Sequence, residues 1–227
     1  MAGQNPIDDP KVNAVLDRLH ARARSQLPGL LVHLAGQYLK GSFAGDGMGT
    51  PNPAYYRDKL IPLGPEQGRL AYLLCRSLDA KRVVEFGTSF GVSTLYLASA
   101  IRANGGGVAI GTERDPSKAQ NARRNFAEAG LSDFIELREG DAFETLKDCG
   151  GPVDFLLVDG WPKSAAAIVR LMAPQLRKGA VIICDNVGQF PRDYVDYLSF
   201  VRDEANGFSS TLLPLRGGTE MSVKTRA

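Results

Sequence analysis

Hydrophobic residues change their spacing along this chain from helical to strand-like and back, and the alternation carries most of the structural information. Val12, Val15, Leu16 and Leu19 recur at i, i+3, i+4 and i+7 behind Asp8, Asp9 and Pro10, the pattern of an amphipathic helix with an acidic start. The stretch 28–40 is apolar and predicts a further helical piece. By contrast 41–53, GSFAGDGMGTPNP, is dense in Gly, Pro, Ser and Asn and reads as a mobile loop. Leu70, Leu73, Leu74 and Leu78 restore a helical period over 65–78. Beyond Lys81, short apolar runs at 82–86, 108–113, 135–139, 155–159 and 180–185 alternate with helical stretches at 92–102, 117–129, 142–147 and 164–176. A parallel sheet covered by helices is written this way. A helix over 193–205 then precedes two extended runs, 208–215 and 220–225, joined through Gly217 and Gly218 as an antiparallel hairpin. The expected fold class is therefore α/β: a mostly parallel sheet with helices on both faces and an antiparallel C-terminal hairpin.

Composition narrows the function classes. With 27 basic and 25 acidic residues the net charge is +2, too small to argue for nucleic acid or a membrane surface as partner. The start, MAGQNPIDDPKV, has neither a basic n-region nor an apolar h-region, so neither export nor membrane insertion is expected. Cys75, Cys149 and Cys184 are an odd number without paired spacing, which fits reduced thiols and a cytoplasmic location. His20 and His33 are the sole histidines and both lie near the start, leaving little for a His-based triad or a multi-His zinc site. Carboxylates, lysine or a cofactor must supply the chemistry.

Glu85-Phe86-Gly87-Thr88-Ser89-Phe90-Gly91 ends the first expected strand and opens a helix, placing glycine where the backbone turns tightly and a ligand can approach. Ser89 breaks the dinucleotide pattern G-x-G-x-x-G, and no Lys-Ser or Lys-Thr follows to make a phosphate loop. Glu113 closes the next strand, where a carboxylate accepts both hydroxyls of a ribose. The pair fits a nucleoside without a diphosphate, while a plain strand-to-helix turn accounts for the glycines alone. The fourth and fifth strands end in Asp159 and in Asp185-Asn186 at the same edge of the sheet. Two carboxylates and an amide oxygen are hard ligands suited to Mg²⁺. Helix capping by the two aspartates is the alternative. Lys163, just past Asp159, is a candidate general base if desolvated beside a dication, and otherwise a solvated lysine at a helix start.

The EFGTSFGVST and GTERDP stretches with this strand order resemble the class I S-adenosylmethionine-dependent methyltransferases, from about Leu60 to the C-terminus. The resemblance implies a Rossmann-like seven-stranded sheet and S-adenosyl-L-methionine as cofactor. Glu85, Gly87, Gly91 and Ser93 would then hold its amino-acid end and Glu113 its ribose. The Ile61-Pro62-Leu63-Gly64 turn, Leu63 included, would cover it, and Asp141, Ala142 and Phe143 would lie at the adenine. Asp141 equally fits a helix N-cap. Asp159, Asp185 and Asn186 beside this loop resemble, more narrowly, the metal-dependent catechol and caffeoyl-CoA O-methyltransferases.

That likeness implies methyl transfer to a hydroxyl of a metal-chelated vicinal diol, catechol-like and small, with Asp159 and Lys163 in catalytic positions. Lys163 stands one position later than the family's lysine, where this chain has Pro162. Trp161 resembles the family's wall over the acceptor ring, with a buried structural Trp as the alternative. Glu220 resembles the acid that meets the second hydroxyl, with an edge-strand charge as the alternative. The family's aromatic residue before the Ile61 turn is absent, and Tyr55 and Tyr56 are candidates to replace it. Residues 1–60 are expected to form helices and a mobile loop that are part of a substrate cap, and 61–227 the methyltransferase domain, all within one structural domain. The expected partner is a diol or phenolic small molecule, and a homodimer is compatible with this reading. An aliphatic, sugar or amine acceptor using the same cofactor is the main alternative, ahead of a dehydrogenase and of a non-catalytic cofactor-binding module.

Overall fold

The computed structural model describes residues 7–39 and 53–226. Helix α1 (Pro10–Leu39) begins where Asp9 accepts the backbone N–H groups of Lys11 and Val12, as its acidic start predicts. It runs through Pro28 as one helix, so the piece expected to begin at residue 28 is its continuation. Pro28 removes one hydrogen-bond donor, and the flanking Ala, Arg, Gln and Leu residues are strong enough helix formers to carry the helix past it. The loop expected at 41–53 lies outside the described residues except for Pro53, which opens the short α2 (Pro53–Tyr56). Helix α3 (Pro65–Ser77) leads into the sheet.

Strands β1 (Arg82–Phe86), β2 (Val108–Glu113) and β3 (Ile135–Glu139) coincide with the runs read from sequence. So, within a residue or two, do α4 (Val92–Ala103), α5 (Pro116–Glu128) and α6 (Ala142–Thr145). Strand β4 (Val153–Val158) stops one residue before Asp159. Strand β5 (Leu176–Cys184) starts four residues earlier than expected, because the chain keeps pairing with β4 across an irregularity that contains Gly179 at φ +82°. Helix α7 (Ala165–Met172) is correspondingly short, ending where Pro174 cannot continue it. Helix α8 (Val195–Arg202) precedes the hairpin of β6 (Phe208–Leu213) and β7 (Thr219–Lys224).

The seven strands are ordered β3-β2-β1-β4-β5-β7-β6, parallel from β3 to β5 and antiparallel at β7 and β6. Alternate strand residues enter two cores. Val83, Phe155, Leu157, Val181 and Ile183 pack with α1, α3 and α4, whereas Val84, Leu156, Val158, Ile182 and Cys184 pack with α7 and α8. Continuing the period of two past the strand ends puts Glu85, Asp159 and Asp185 on the α3 and α4 face. On β7, Met221 and Val223 share that face, and Glu220, paired with Cys184, belongs to the other. Among the described residues no helix is long and apolar enough to cross a membrane, and all three cysteines are free and buried.

Candidate active site

The carboxyl ends of β1, β4 and β5 lie side by side because backbone hydrogen bonds continue beyond the strands. Asp159 N–H donates to the Phe86 carbonyl at 3.0 Å and Asp185 N–H to the Val158 carbonyl at 3.2 Å. Above this edge a pocket opens between the turn 60–62 and the loop 87–93, with Asp159 lining it. Gly87 sits at φ +101°, and a Cβ there would be 2.7 Å from the Asp159 carbonyl oxygen. Gly91, at φ +85°, leaves the space that the Phe126 ring fills, so both glycines are required by the close approach. Between them Ser89 donates its N–H to Glu113 Oε2 at 2.8 Å, and Asp115 N–H caps Oε1 at 2.7 Å. Each of these oxygens keeps a second lone pair for a ligand hydroxyl.

Glu85 is 1% exposed, and its Oε2 accepts the hydroxyls of Thr88 at 2.8 Å and Thr94 at 2.5 Å. Its Oε1 is buried with no hydrogen-bond partner among the described residues, although the Ser93 hydroxyl lies beside the carboxyl. Burial pushes the Glu85 carboxyl above the usual range, against the pull of those hydroxyls. Asp159 is driven well above its ordinary value by burial first, then by Asp185 and Glu85. Asp185 is pushed up to about 6 by burial, partly countered by hydrogen bonds and by the charge of Arg216. Asp159 thus lies within reach of two other carboxyls, Asp185 and Glu85, the electrostatic situation that a bound cation would relieve.

Asp185 Oδ1 accepts from Gln67 Nε2 and, at 3.4 Å, from the Thr219 hydroxyl, while Oδ2 meets Asn186 Nδ2 at 2.9 Å. Asn186 stands at φ +61° with its Oδ1 on the Gly217 side, so ligation through that oxygen requires a half-turn of the amide. The residues nevertheless fit the two groups implied. An orphaned buried oxygen at Glu85 and a cradle that a Cβ would fill at Gly87 suit a cationic nucleoside, and Asp159 with Asp185 and Asn186 is a hard-oxygen set. Among the described residues no group of three His, Cys, Asp or Glu could hold a metal ion, so the amide is needed to complete this one.

Comparison with known proteins bears on the same edge. Residues 84–187 match a family described as a methyltransferase domain. The catechol O-methyltransferase of Mycobacterium tuberculosis is 36% identical over 128 residues, 56% of this chain and 57% of that protein. The catechol O-methyltransferase of Niastella koreensis is 31% identical over 131 residues, 56% of this chain and 58% of that protein. The O-methyltransferase of Bacillus cereus, solved in complex with SAH, superposes with a TM-score of 0.68 at 27% identity, covering 76% of this chain and 86% of that one. Residues 84–187 thus match a methyltransferase domain, and the chain is similar in sequence to catechol O-methyltransferases and in fold to an O-methyltransferase solved with SAH. The chain spans 57–58% of the length of these catechol O-methyltransferases.

Against this family background the remaining expected residues divide. Leu63 is buried at 1% and closes the covering turn. Asp141 accepts the Phe143 N–H at 2.9 Å as the N-cap of α6, with Ala142 buried and Phe143 38% exposed beside it. Trp161 is 45% exposed and not a buried structural residue. The Tyr56 ring meets it edge-on at 6.1 Å, Tyr55 meets Tyr56 at 5.1 Å, and His33 of α1 stacks on Tyr55 at 3.5 Å. The aromatic set expected at the acceptor side therefore assembles, and α2 is held there by Arg57, whose Nε reaches Asp115 at 3.0 Å. Lys163 is exposed on the 3₁₀ turn Pro162–Ser164, with no hydrogen bond or ion pair among the described residues.

Glu220 is the correction. It is 0% exposed, lies on the α8 face, and is held by Arg202 through two 2.7 Å hydrogen bonds and by the Ser210 hydroxyl at 2.7 Å. The period of two along β7 turns it away from Asp185, and its neighbour Thr219 reaches the site instead. Sequence reading also missed Gln67, Thr88 and Thr94. Gln67 is three residues after Gly64 at a helix start, the spacing of a reciprocal cap. The threonines were discoverable by asking which donors satisfy a buried Glu85.

Proposed function

We propose that this protein is an S-adenosylmethionine-dependent O-methyltransferase whose acceptor is a small catechol-like diol held through a divalent cation. The observation that carries the reading is the convergence of Asp159, raised in proton affinity by burial and by Asp185, with Asp185, raised by burial, beside a pocket that Asp159 and the Gly87–Ser93 loop line. When bound, the cofactor supplies the methyl group, and a hard dication on Asp159, Asp185 and Asn186 acidifies the acceptor hydroxyl.

The chain's own residues do the rest. Glu85 offers an unpartnered carboxylate oxygen to a cationic cofactor, and Glu113 offers lone pairs to its ribose. The turn 60–62 and Asp159 line the same pocket, so Asp159 could bring donor and acceptor together in one place. Trp161 and Tyr56 present ring edges and faces to a planar acceptor. Lys163 is the candidate to take up the proton, and residues 1–60 act as part of the acceptor cap through α1 and α2.

Turnover of a catechol-type acceptor, with and without EDTA, in wild type and Asp185→Ala tests the proposal. Loss of turnover on both treatments is expected. Undiminished turnover in both removes the metal-assisted mechanism. Turnover of an aliphatic or amine acceptor that ignores EDTA favours the alternative acceptor classes.

A further inference from the structure

Resting on that metal-assisted reading, a second inference concerns how Asp185 is aimed. Gln67, in the first turn of α3, is 4% exposed and spans the distance between the pocket's covering turn and the end of β5. Its Oε1 accepts the Gly64 N–H at 3.0 Å, and a backbone donor at that place determines which end of the amide is oxygen. The nitrogen end is therefore turned to Asp185 Oδ1, to Thr219 Oγ1 at 3.0 Å and to the Arg216 carbonyl at 3.1 Å. An amide nitrogen has two hydrogens for these three acceptors. The Thr219 hydroxyl, which can itself donate to Asp185 Oδ1, supplies the remaining proton.

We propose that Gln67 is a positioning residue for the metal centre. By donating to Oδ1 it leaves Oδ2, which here accepts only the Asn186 amide among the described residues, as the oxygen of Asp185 presented to a dication once that amide turns to offer its own oxygen. By accepting from Gly64 it ties that carboxylate to the turn that covers the cofactor. A buried glutamine here directs its donor to a carboxylate that, among the described residues, has no cationic partner within hydrogen-bond reach. A hydrogen bond that orients a ligating carboxylate belongs to the outer layer of a metal site, where substitutions cost about 10–100-fold in metal affinity.

The test is calorimetric titration of Mn²⁺ into the full chain, paired with titration of S-adenosylhomocysteine. Gln67→Met, close in length and unable to hydrogen-bond, is expected to weaken Mn²⁺ binding by about 10–100-fold while S-adenosylhomocysteine affinity stays within about threefold. Thr219→Val keeps the Gly64 contact and is expected to weaken Mn²⁺ by about 10-fold, at the lower end of the same range. Equal losses for both ligands in Gln67→Met would mark a merely structural role and overturn the proposal. So would wild-type Mn²⁺ affinity in that variant, which leaves the metal reading itself intact. If Gln67→Met does not fold, unchanged Mn²⁺ binding by Thr219→Val decides against the proposal. Wild-type protein that binds no Mn²⁺ fails the metal reading, and this inference with it.

Discussion

Asp185 and Glu220 are buried carboxylates on adjacent strands, 5% and 0% exposed, yet they lie on opposite faces of the sheet and have opposite surroundings. Glu220 has a dedicated guanidinium: two hydrogen bonds from Arg202, plus Ser210, satisfy it inside the fold. Among the described residues Asp185 accepts hydrogen bonds from neutral donors alone, lies beside Asp159, and is pushed up to about 6 by burial against the lowering charge of Arg216. One carboxylate was given its counter-ion by the chain, and the other, under the function proposed above, would take its cation from outside. Comparable burial therefore does not imply comparable purpose, and the presence or absence of an internal cation separates a structural acid from a candidate ligand.

The largest expected effect is at Asp185. Asp185→Ala should lower turnover of a catechol-type acceptor by about 10²–10³-fold, several kcal/mol of transition-state stabilisation, in steady-state assays with saturating cofactor. The same substitution should leave thermal stability unchanged or raised, since it removes a carboxyl whose ionised form burial disfavours, and this offsets the hydrogen bonds it accepts from Gln67, Thr219 and Asn186. Arg202→Leu should behave in the reverse way. Stripping the guanidinium from fully buried Glu220 is expected to cost about 3–5 kcal/mol in denaturant unfolding. S-adenosylhomocysteine affinity of the folded fraction should not change. A loss of turnover without loss of stability in Arg202→Leu would return Glu220 to the acceptor site and erase the contrast.

The contrast was partly legible beforehand. Strand periodicity located β1, β2 and β3 to the residue and placed Asp159 and Asp185 at neighbouring strand ends, because a period of two read from apolar runs is a strong local signal. The same periodicity, applied to Met221 and Val223, assigns Glu220 to the far face, against the likeness to a family's acid. The starts of β4 and β5 were less readable, since an irregular register at Gly179 leaves no apolar repeat to follow. Gln67 and the His33–Tyr55–Tyr56–Trp161 set depend on contacts between segments far apart in sequence, which no local pattern encodes.

The pH dependence of stability sharpens the comparison at a smaller magnitude. Asp185 has a folded value of about 6 against 3.8 for a free aspartate, so between roughly pH 4 and 6 the folded state holds more protons than the unfolded one. Its contribution to stability is fully present below about pH 4 and is lost as pH rises through about 6, a loss of roughly 1–3 kcal/mol. Asp159, raised in the same direction, extends the decline upward. Millimolar Mg²⁺ or Mn²⁺ should flatten it, because the cation stabilises the ionised pair. Chemical unfolding across pH 4–8 with EDTA or metal measures this. A metal-independent profile would mean that the two carboxyls do not share a cation.

The smallest effect belongs to the aromatic side of the site, where the contrast is between recognition and chemistry. Trp161 touches Tyr56 through a single edge-on contact and is 45% exposed, so its removal leaves the core intact. An aromatic pair contributes about 0.5–1.5 kcal/mol, and Trp161→Ala is therefore expected to raise KM for a planar acceptor about 3–10-fold with kcat little changed. Mn²⁺ and S-adenosylhomocysteine affinities should be those of the wild type, because Trp161 meets neither Asp185 nor the glycine loop in any hydrogen bond. A fall in kcat with KM unchanged would place the indole against the reacting groups and make the aromatic wall part of the transition-state geometry, not of acceptor capture.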